Sequence, residues 1–464
     1  MTAIPTPIPT PEGKGEHGPS RPGPGPSGHI GWIVAGSLAT GVVAALVLVA
    51  APLVPARESA VTGAVLCGFA LGWAMLAVLS ARFTDQPQRW AAAPAAVMGL
   101  GGLLLLGFGS SVREVLDWVW PPVMLAVAIW TIVRVRRQLR GRGARWLLYP
   151  VIALVGLAAI GGGYQTWGVA ADARAYPMPG RLIDVGGHRL HLNCTGSGSP
   201  TVVLEAGGGE MSSNLGWITP AVARNTKVCV YDRAGRGWSE PADTPQDGVH
   251  IATDLHTLLH RAGVPGPYVL AGHSFGGLYV LTFAARYPDE VAGLVLVDST
   301  APNPAPTTGR VSSGDTGSSD LIGRLSALAS ASARLGLARL YAQLAGGGLP
   351  PRSDAEVRAR VATASNLRST IDEYVQASAA VHQAGALTDF GAKPLLVLTA
   401  PIGQNVDWIP AQNHLATLST DSVHRVIAGA THEGLVGEQQ YAAATTQAIL
   451  DVVSAVRSQQ PLAK

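Results

Sequence analysis

Tyr268-Val269-Leu270-Ala271-Gly272-His273-Ser274-Phe275-Gly276-Gly277 is the stretch that decides the C-terminal fold of this 464-residue chain. Residues 268–271 form a short apolar run of strand type, and residues 275–286 have helical spacing. Between them, Gly272-x-Ser274-x-Gly276-Gly277 predicts a sharp strand-to-helix turn with a strained backbone at the serine. Small residues are needed two positions to either side because the neighbouring segments pack close. Such a turn lifts the Ser274 hydroxyl into the open and marks it as a nucleophile. It also sets the Phe275 N–H at a helix N-terminus, where it can donate to an oxyanion.

The flanking chain supplies the elements that such a turn needs. Residues 182–185 and 190–193 alternate like a hairpin, and 201–204 and 228–231 are short apolar strands. Residues 251–262 have helical spacing; 294–297, 394–399 and 423–427 are further strands, and a last helix spans about 441–456. Helical runs alternating with apolar strands predict an α/β fold with a doubly wound, mostly parallel sheet over residues 180–464. Residues 301–391 interrupt the rhythm with a Pro/Ser/Gly-rich loop (302–319) followed by Ala/Leu/Arg helices. An insertion at this place reads as a helical lid.

A free serine hydroxyl is a poor nucleophile and needs a base. His432 lies in the loop after the last strand, where the chain order Ser…Asp…His puts the base. His424 falls within that strand, His188 and His191 flank an early one, and His273 belongs to the turn itself, so these four read as structural. The acid has two candidates. Asp298 ends the strand 294–297; Asp407 follows the strand 394–399, but the positions just past that strand hold Pro401, Ile402 and Gly403. The reading favours Asp298 and keeps Asp407 as the alternative. A second oxyanion donor is expected from Ala206-Gly207-Gly208-Gly209, with Gly208 first and Gly207 next.

The N-terminal part has a different composition. Residues 1–29 hold eight Pro and six Gly and no apolar run, so disorder is expected and a signal peptide is not. Five apolar stretches follow at about 30–54, 59–80, 90–111, 115–133 and 146–169, within a region 30–170. Each is long enough to cross a membrane as a helix. Asp117, near the start of the fourth, is placed at the water interface. Mean hydropathy is +0.25 and only 14% of residues are charged, as a membrane portion requires. Arg134, Arg136, Arg137, Arg140, Arg142 and Arg145 lie between the fourth and fifth stretches. The positive-inside tendency makes that loop and the N-terminus cytoplasmic and everything after about residue 170 extracytoplasmic. A net charge of +3, with no basic run interleaved with aromatics, gives nucleic acid no footing. Three cysteines without a Cys/His cluster predict no metal site, and no organic cofactor is implied.

Residues 180–458 resemble the α/β-hydrolase fold superfamily, and look most like the esterase-like serine hydrolases of GC-rich actinobacteria. The matching stretches are Val203-Leu204-Glu205-Ala206-Gly207, Tyr231-Asp232-Arg233-Ala234-Gly235-Arg236-Gly237-Trp238-Ser239, Gly272–Gly277, Leu294–Asp298 and Gly429–His432. Where relatives often carry His-Gly in the oxyanion loop, this chain has Ala206-Gly207. The resemblance implies a membrane-anchored serine hydrolase acting on an ester of a small molecule or lipid. The rival is a non-catalytic binding or sensing module on the same anchor. It also implies that the strands carrying Cys194 and Cys229 are neighbours, so these two can form a disulfide outside the cytoplasm. No protein partner is inferable.

Overall fold

The computed structural model describes residues 29–302, 316–344 and 347–463. The expected disorder of the N-terminus, and most of the loop 302–319, fall outside the described residues. Thr316 to Ser319, expected in that loop, already belong to a helix.

Five helices open the chain: α1 (Ile30–Ala50), α2 (Glu58–Phe83), α3 (Ala92–Phe108), α4 (Ser110–Gln138) and α5 (Arg142–Ala175). Each is long and apolar enough to cross a membrane, α3 together with the 3-10 turn Arg89–Ala91 that leads into it. α1 stops at Ala50, short of the expected 54. Pro52 disfavours helical geometry in the residue before it, and Ala51 is extended (φ −65°, ψ 130°). α5 overruns its apolar stretch at both ends; at 1.5 Å per residue its 34 residues reach ~51 Å, well beyond a ~30 Å hydrocarbon core. α1 and α2 pack on small residues. A Cβ on Gly68 would stand 2.3 Å from the Ala45 nitrogen, so the backbones touch directly.

The hydrolase-like half is an eight-stranded sheet of order β1-β2-β4-β3-β5-β6-β7-β8. Its strands are β1 (Arg181–Asp184), β2 (Arg189–Thr195), β3 (Thr201–Glu205), β4 (Val228–Tyr231), β5 (Tyr268–His273), β6 (Val291–Val297), β7 (Leu395–Thr399) and β8 (Ser422–Val426). β2 pairs antiparallel with β1 and β4; all other pairs are parallel. β3, β4, β5 and β7 are buried along their whole length, as parallel strands covered on both faces must be. One face packs on α7 (Gly248–Arg261), α8 (Phe275–Arg286) and α13 (Ala377–Ala384). The other packs on α6 (Ile218–Ala223), α15 (Gly434–Gly437) and the long α16 (Gln439–Ser458).

The insertion supplies α9 (Thr316–Ala331), α10 (Leu337–Leu344), α11 (Pro351–Val361), α12 (Ala364–Val375) and α13. Only the first four form a cap; α13 joins the core through Ala380 and Ala384. A last helix, α14 (Trp408–Ala416), lies between β7 and β8.

Cys194 and Cys229 are direct partners across β2 and β4, with Cα atoms 4.0 Å apart and their sulfurs bonded. The link closes a loop of 35 residues. Removing it by the double substitution Cys194→Ala/Cys229→Ala is expected to cost about 3–4 kcal/mol of stability, read as a lowered Tm. Alkylation of the unreduced, denatured protein should label Cys67 alone. Labelling at all three cysteines would contradict the link.

Candidate active site

Ser274 sits between β5 and α8 with φ 54° and ψ −122°, a conformation that L-residues rarely hold. Among the described residues only Ser274, Asp298 (φ 42°) and Gln459 combine a side chain with positive φ. Such strain costs roughly 1–3 kcal/mol per residue and persists where the surroundings over-determine it. They do so here. A Cβ on Gly276 would lie 2.5 Å from the Glu205 carbonyl, and one on Gly272 would lie 2.5 Å from that of Gly276. The Ser274 N–H donates to Val297, and its carbonyl accepts from Gly277 and Thr300.

Of the two candidate acids, the structure brings Asp298 to His432. Asp298 is fully buried, and its carboxylate takes four donors: the Ala400 N–H at 3.0 Å, Gln404 Nε2 at 2.8 Å, Trp408 Nε1 at 2.7 Å and His432 Nδ1 at 2.6 Å. Asp407 is exposed and makes no contact with His432 among the described hydrogen bonds. A carboxylate held by four donors cannot swing away, so it fixes the imidazole with Nδ1 protonated and Nε2 free. Among the described residues neither the Ser274 hydroxyl nor His432 Nε2 is engaged in a hydrogen bond; His432 remains 28% exposed.

The oxyanion loop follows β3. The Gly207 N–H is taken by Glu210 Oε2 at 2.6 Å, and the Gly209 N–H by Glu373 Oε2 at 3.1 Å. Gly208 between them, and Phe275 at the start of α8, carry N–H groups with no acceptor among the described residues. The alternative donor Gly207 is therefore occupied, and Gly208 and Phe275 are the open pair. A Cβ on Gly208 would meet the Phe275 ring at 2.8 Å, so the position needs glycine.

Two buried charge systems lie behind these groups, and neither was legible in the sequence. Glu373, on α12 of the cap, accepts from Arg233 Nε at 2.7 Å and Arg236 Nη2 at 2.6 Å. Arg233 continues to Glu205 at 2.5 Å and to the Ala206 and Gly207 carbonyls. Burial opposes the Glu373 charge, but the two guanidiniums outweigh it and hold its carboxyl below the usual range. The second system is His273 with Glu210. His273 donates from Nδ1 to Glu210 at 3.1 Å and from Nε2 to the His432 carbonyl at 3.1 Å, and its ring lies tilted against that of His432, centroids 4.7 Å apart. Burial alone would push this imidazole down, yet the Glu210 carboxylate outweighs it and raises it to about 9; Glu210 in turn is lowered to about 2. The Glu210 carboxylate thus favours the charged form of His273, next to His432. Of the other histidines, His191 is buried on Asp232 at 2.8 Å, His188 pairs with Asp254 and His424 with Thr399. His256 and His260 share Glu290 at the N-terminal end of β6, the opposite end of the sheet from Ser274.

Two outcomes follow. Glu373→Gln leaves two buried guanidiniums short of countercharge. It is expected to cost about 3–5 kcal/mol in thermal or denaturant unfolding and to release the Gly209 N–H. The His273 charge stabilises the fold below its ordinary value of 6.5, and that contribution is lost as pH rises through about 9. The Tm of the wild type should fall across that window, and Glu210→Gln should flatten the fall. An unchanged slope would show that the pair is not ionised.

The sequence profile of the alpha/beta hydrolase fold matches residues 200–438, more than half of the chain. An uncharacterised protein of Schizosaccharomyces pombe is 36% identical over 156 residues, 27% of this chain and 29% of that protein. The 2-hydroxy-6-oxo-2,4-heptadienoate hydrolase of Pseudomonas putida is 30% identical over 125 residues, 25% of this chain and 44% of that enzyme. An uncharacterised vacuolar membrane protein of Saccharomyces cerevisiae is 28% identical over 132 residues, 24% of this chain and 20% of that protein. The chain spans less than half the length of each of these curated relatives, and they give the expected actinobacterial affinity no support. Of solved structures, DBJA is 19% identical, with 61% of this chain and 100% of that chain covered at a TM-score of 0.46. The epoxide hydrolase CorEH is 21% identical, with 57% and 95% covered at 0.44. A profile match of this length, laid over the sheet that carries Ser274, makes the chain a member of the α/β-hydrolase fold family.

Proposed function

We propose that the protein is a membrane-anchored serine hydrolase that cleaves a carboxylic ester through an acyl-enzyme. The observation that carries this reading is the His432–Asp298 contact, set beside a strained Ser274 and two unengaged N–H groups. In the proposed reaction Ser274 Oγ attacks the acyl carbonyl while His432 Nε2 takes its proton. The oxyanion rests on the N–H groups of Gly208 and Phe275. Collapse breaks the bond to the leaving alkoxide, which takes the proton from His432. Water, deprotonated by the same imidazole, then attacks the acyl-enzyme and releases the carboxylic acid and Ser274. Asp298 stabilises the imidazolium that forms in each half. An aspartate at the elbow, as haloalkane dehalogenase and epoxide hydrolase chemistry in this fold uses, is absent: position 274 is serine. A complete carboxylate–imidazole pair also disfavours a non-catalytic module.

The proposal includes an orientation. The six arginines around the α4–α5 connection support a cytoplasmic side for it by the positive-inside tendency, and with it a hydrolase domain outside. The Cys194–Cys229 bond fits an oxidising compartment.

A fluorophosphonate probe should label the wild type at Ser274 and leave Ser274→Ala unlabelled. Asp298→Asn should lower kcat by about 10²–10⁴-fold, while Asp407→Asn stays within about twofold. Equal loss in both aspartate variants, or labelling that survives Ser274→Ala, would overturn the assignment.

A further inference from the structure

In α9 and α10 the usual distribution of side chains is turned inside out. Toward the protein, α9 places Arg324, Ser326 and Ser330, and α10 places Arg339, all buried. Toward the outside, α9 presents Leu321, Leu325 and Leu328, and α10 presents Leu337, Leu340, Tyr341 and Leu344. The spacings i, i+4, i+7 and i, i+3, i+4, i+7 make each set one helical stripe. The four α10 side chains are between 52% and 79% exposed. In water each would forgo the gain of burial, and a contiguous apolar patch marks a surface meant to be covered. The long N-terminal helices likewise turn apolar side chains outward: Val47, Leu103 and Leu157 are each more than half exposed, while Gly68 and Gly72 face in.

The stripes are also continuous with those spans. Arg324 Nη1 donates to the Ala50 carbonyl, the last residue of α1, at 2.8 Å. Arg334, in the turn Ser332–Leu335 between α9 and α10, reaches Glu58 at the start of α2 and Asp117 on α4, at 3.1 and 2.9 Å. Arg339 pairs with Asp172 at 2.7 Å and donates to Gln165 at 3.1 Å, both on α5. Leu335 packs against Gly161, where a Cβ would lie 2.1 Å from its carbonyl oxygen. Gly161 falls within the apolar stretch of α5, and Trp167, 65% exposed, lies further toward its end. Amphipathic rings of this kind mark the membrane–water boundary. The cap therefore meets the spans at the depth of that boundary. It also meets the site: Tyr374 on α12 packs 5.3 Å from the Phe275 ring, next to Ser274.

We propose that α9 and α10 lie in the membrane itself, at the boundary of headgroups and acyl chains on the hydrolase side, and that the ester reaching Ser274 is an acyl lipid taken from that leaflet. The second half rests on the serine-esterase reading above. Interfacial helices bury one apolar face ~5–10 Å into this boundary, which is the face these two helices turn outward.

The test uses the full chain, one copy per phosphatidylcholine/phosphatidylglycerol nanodisc. An environment-sensitive fluorophore is attached at Leu340→Cys, or at Asp289→Cys on the far end of the sheet, each in a Cys67→Ser background. Brominated lipid should quench the fluorophore at 340 at least about threefold more than at 289. Equal quenching at the two positions overturns the placement, whether water or a protein partner covers α10. The double variant Leu340→Glu/Leu344→Glu should lower turnover of a fluorogenic phosphatidylglycerol in the disc about tenfold, with p-nitrophenyl butyrate hydrolysis and fluorophosphonate labelling kept within about twofold. A parallel fall in both substrates, or a wild type that cleaves the soluble ester and not the lipid, overturns the lipid route. A wild type that is quenched at 340 but takes no fluorophosphonate overturns the esterase reading and leaves the placement supported.

Discussion

Glu373 has no access to water, and neither do Arg233 and Arg236, the two guanidiniums that it holds. Charges this deep are stable only as a set, because removing one leaves the others desolvated without a partner. The set joins three parts of the chain that are far apart in sequence: the turn after β4, the oxyanion loop after β3 and the cap helix α12. Arg233 binds the carbonyls of Ala206 and Gly207, while Glu373 binds the N–H of Gly209. The loop is thus gripped from both sides, and of the Gly207, Gly208 and Gly209 amides that of Gly208 is left without an acceptor among the described residues. These buried ion pairs fasten the cap helix α12 to the loops after β3 and β4.

The site shows the same economy of constraint. Strain at Ser274 and at Asp298 is sustained by close backbone packing and by ladder bonds from β6 and β7. Asp298 then distributes its charge over four donors, three of which, Ala400, Gln404 and Trp408, come from the segment after β7. That segment carries no acid of its own in the place where one was sought. It supplies donors to an acid one strand away, which is why the carboxylate at the end of β6 can serve a histidine after β8.

The five spans gain a role beyond tethering. Glu58, Asp117, Gln165 and Asp172 all meet arginines of the cap. Asp117 is satisfied there by a salt bridge with Arg334. Through these pairs and the buried charges around Glu373, the sheet, the cap and the five long helices are joined side chain to side chain.

The sequence by itself determined what depends on local pattern. Gly272–Gly277 between a strand and a helix, short apolar strands alternating with helical runs, and uncharged stretches of about twenty residues are properties of neighbours along the chain. Backbone geometry reads those directly. They sufficed for the sheet and the five long helices, set Ser274 at the turn between β5 and α8 and His432 in the loop after β8, and left the candidate acid at Asp298 or Asp407. Only the tertiary structure shows which of those two meets His432, because that depends on which carboxylate finds donors across strands. Only it revealed Glu210 and Glu373, whose partners lie 63 and 164 residues away. Long-range electrostatic pairing leaves no periodic trace in sequence, so an exposed glutamate and a buried, ion-paired one read alike until the chain is folded.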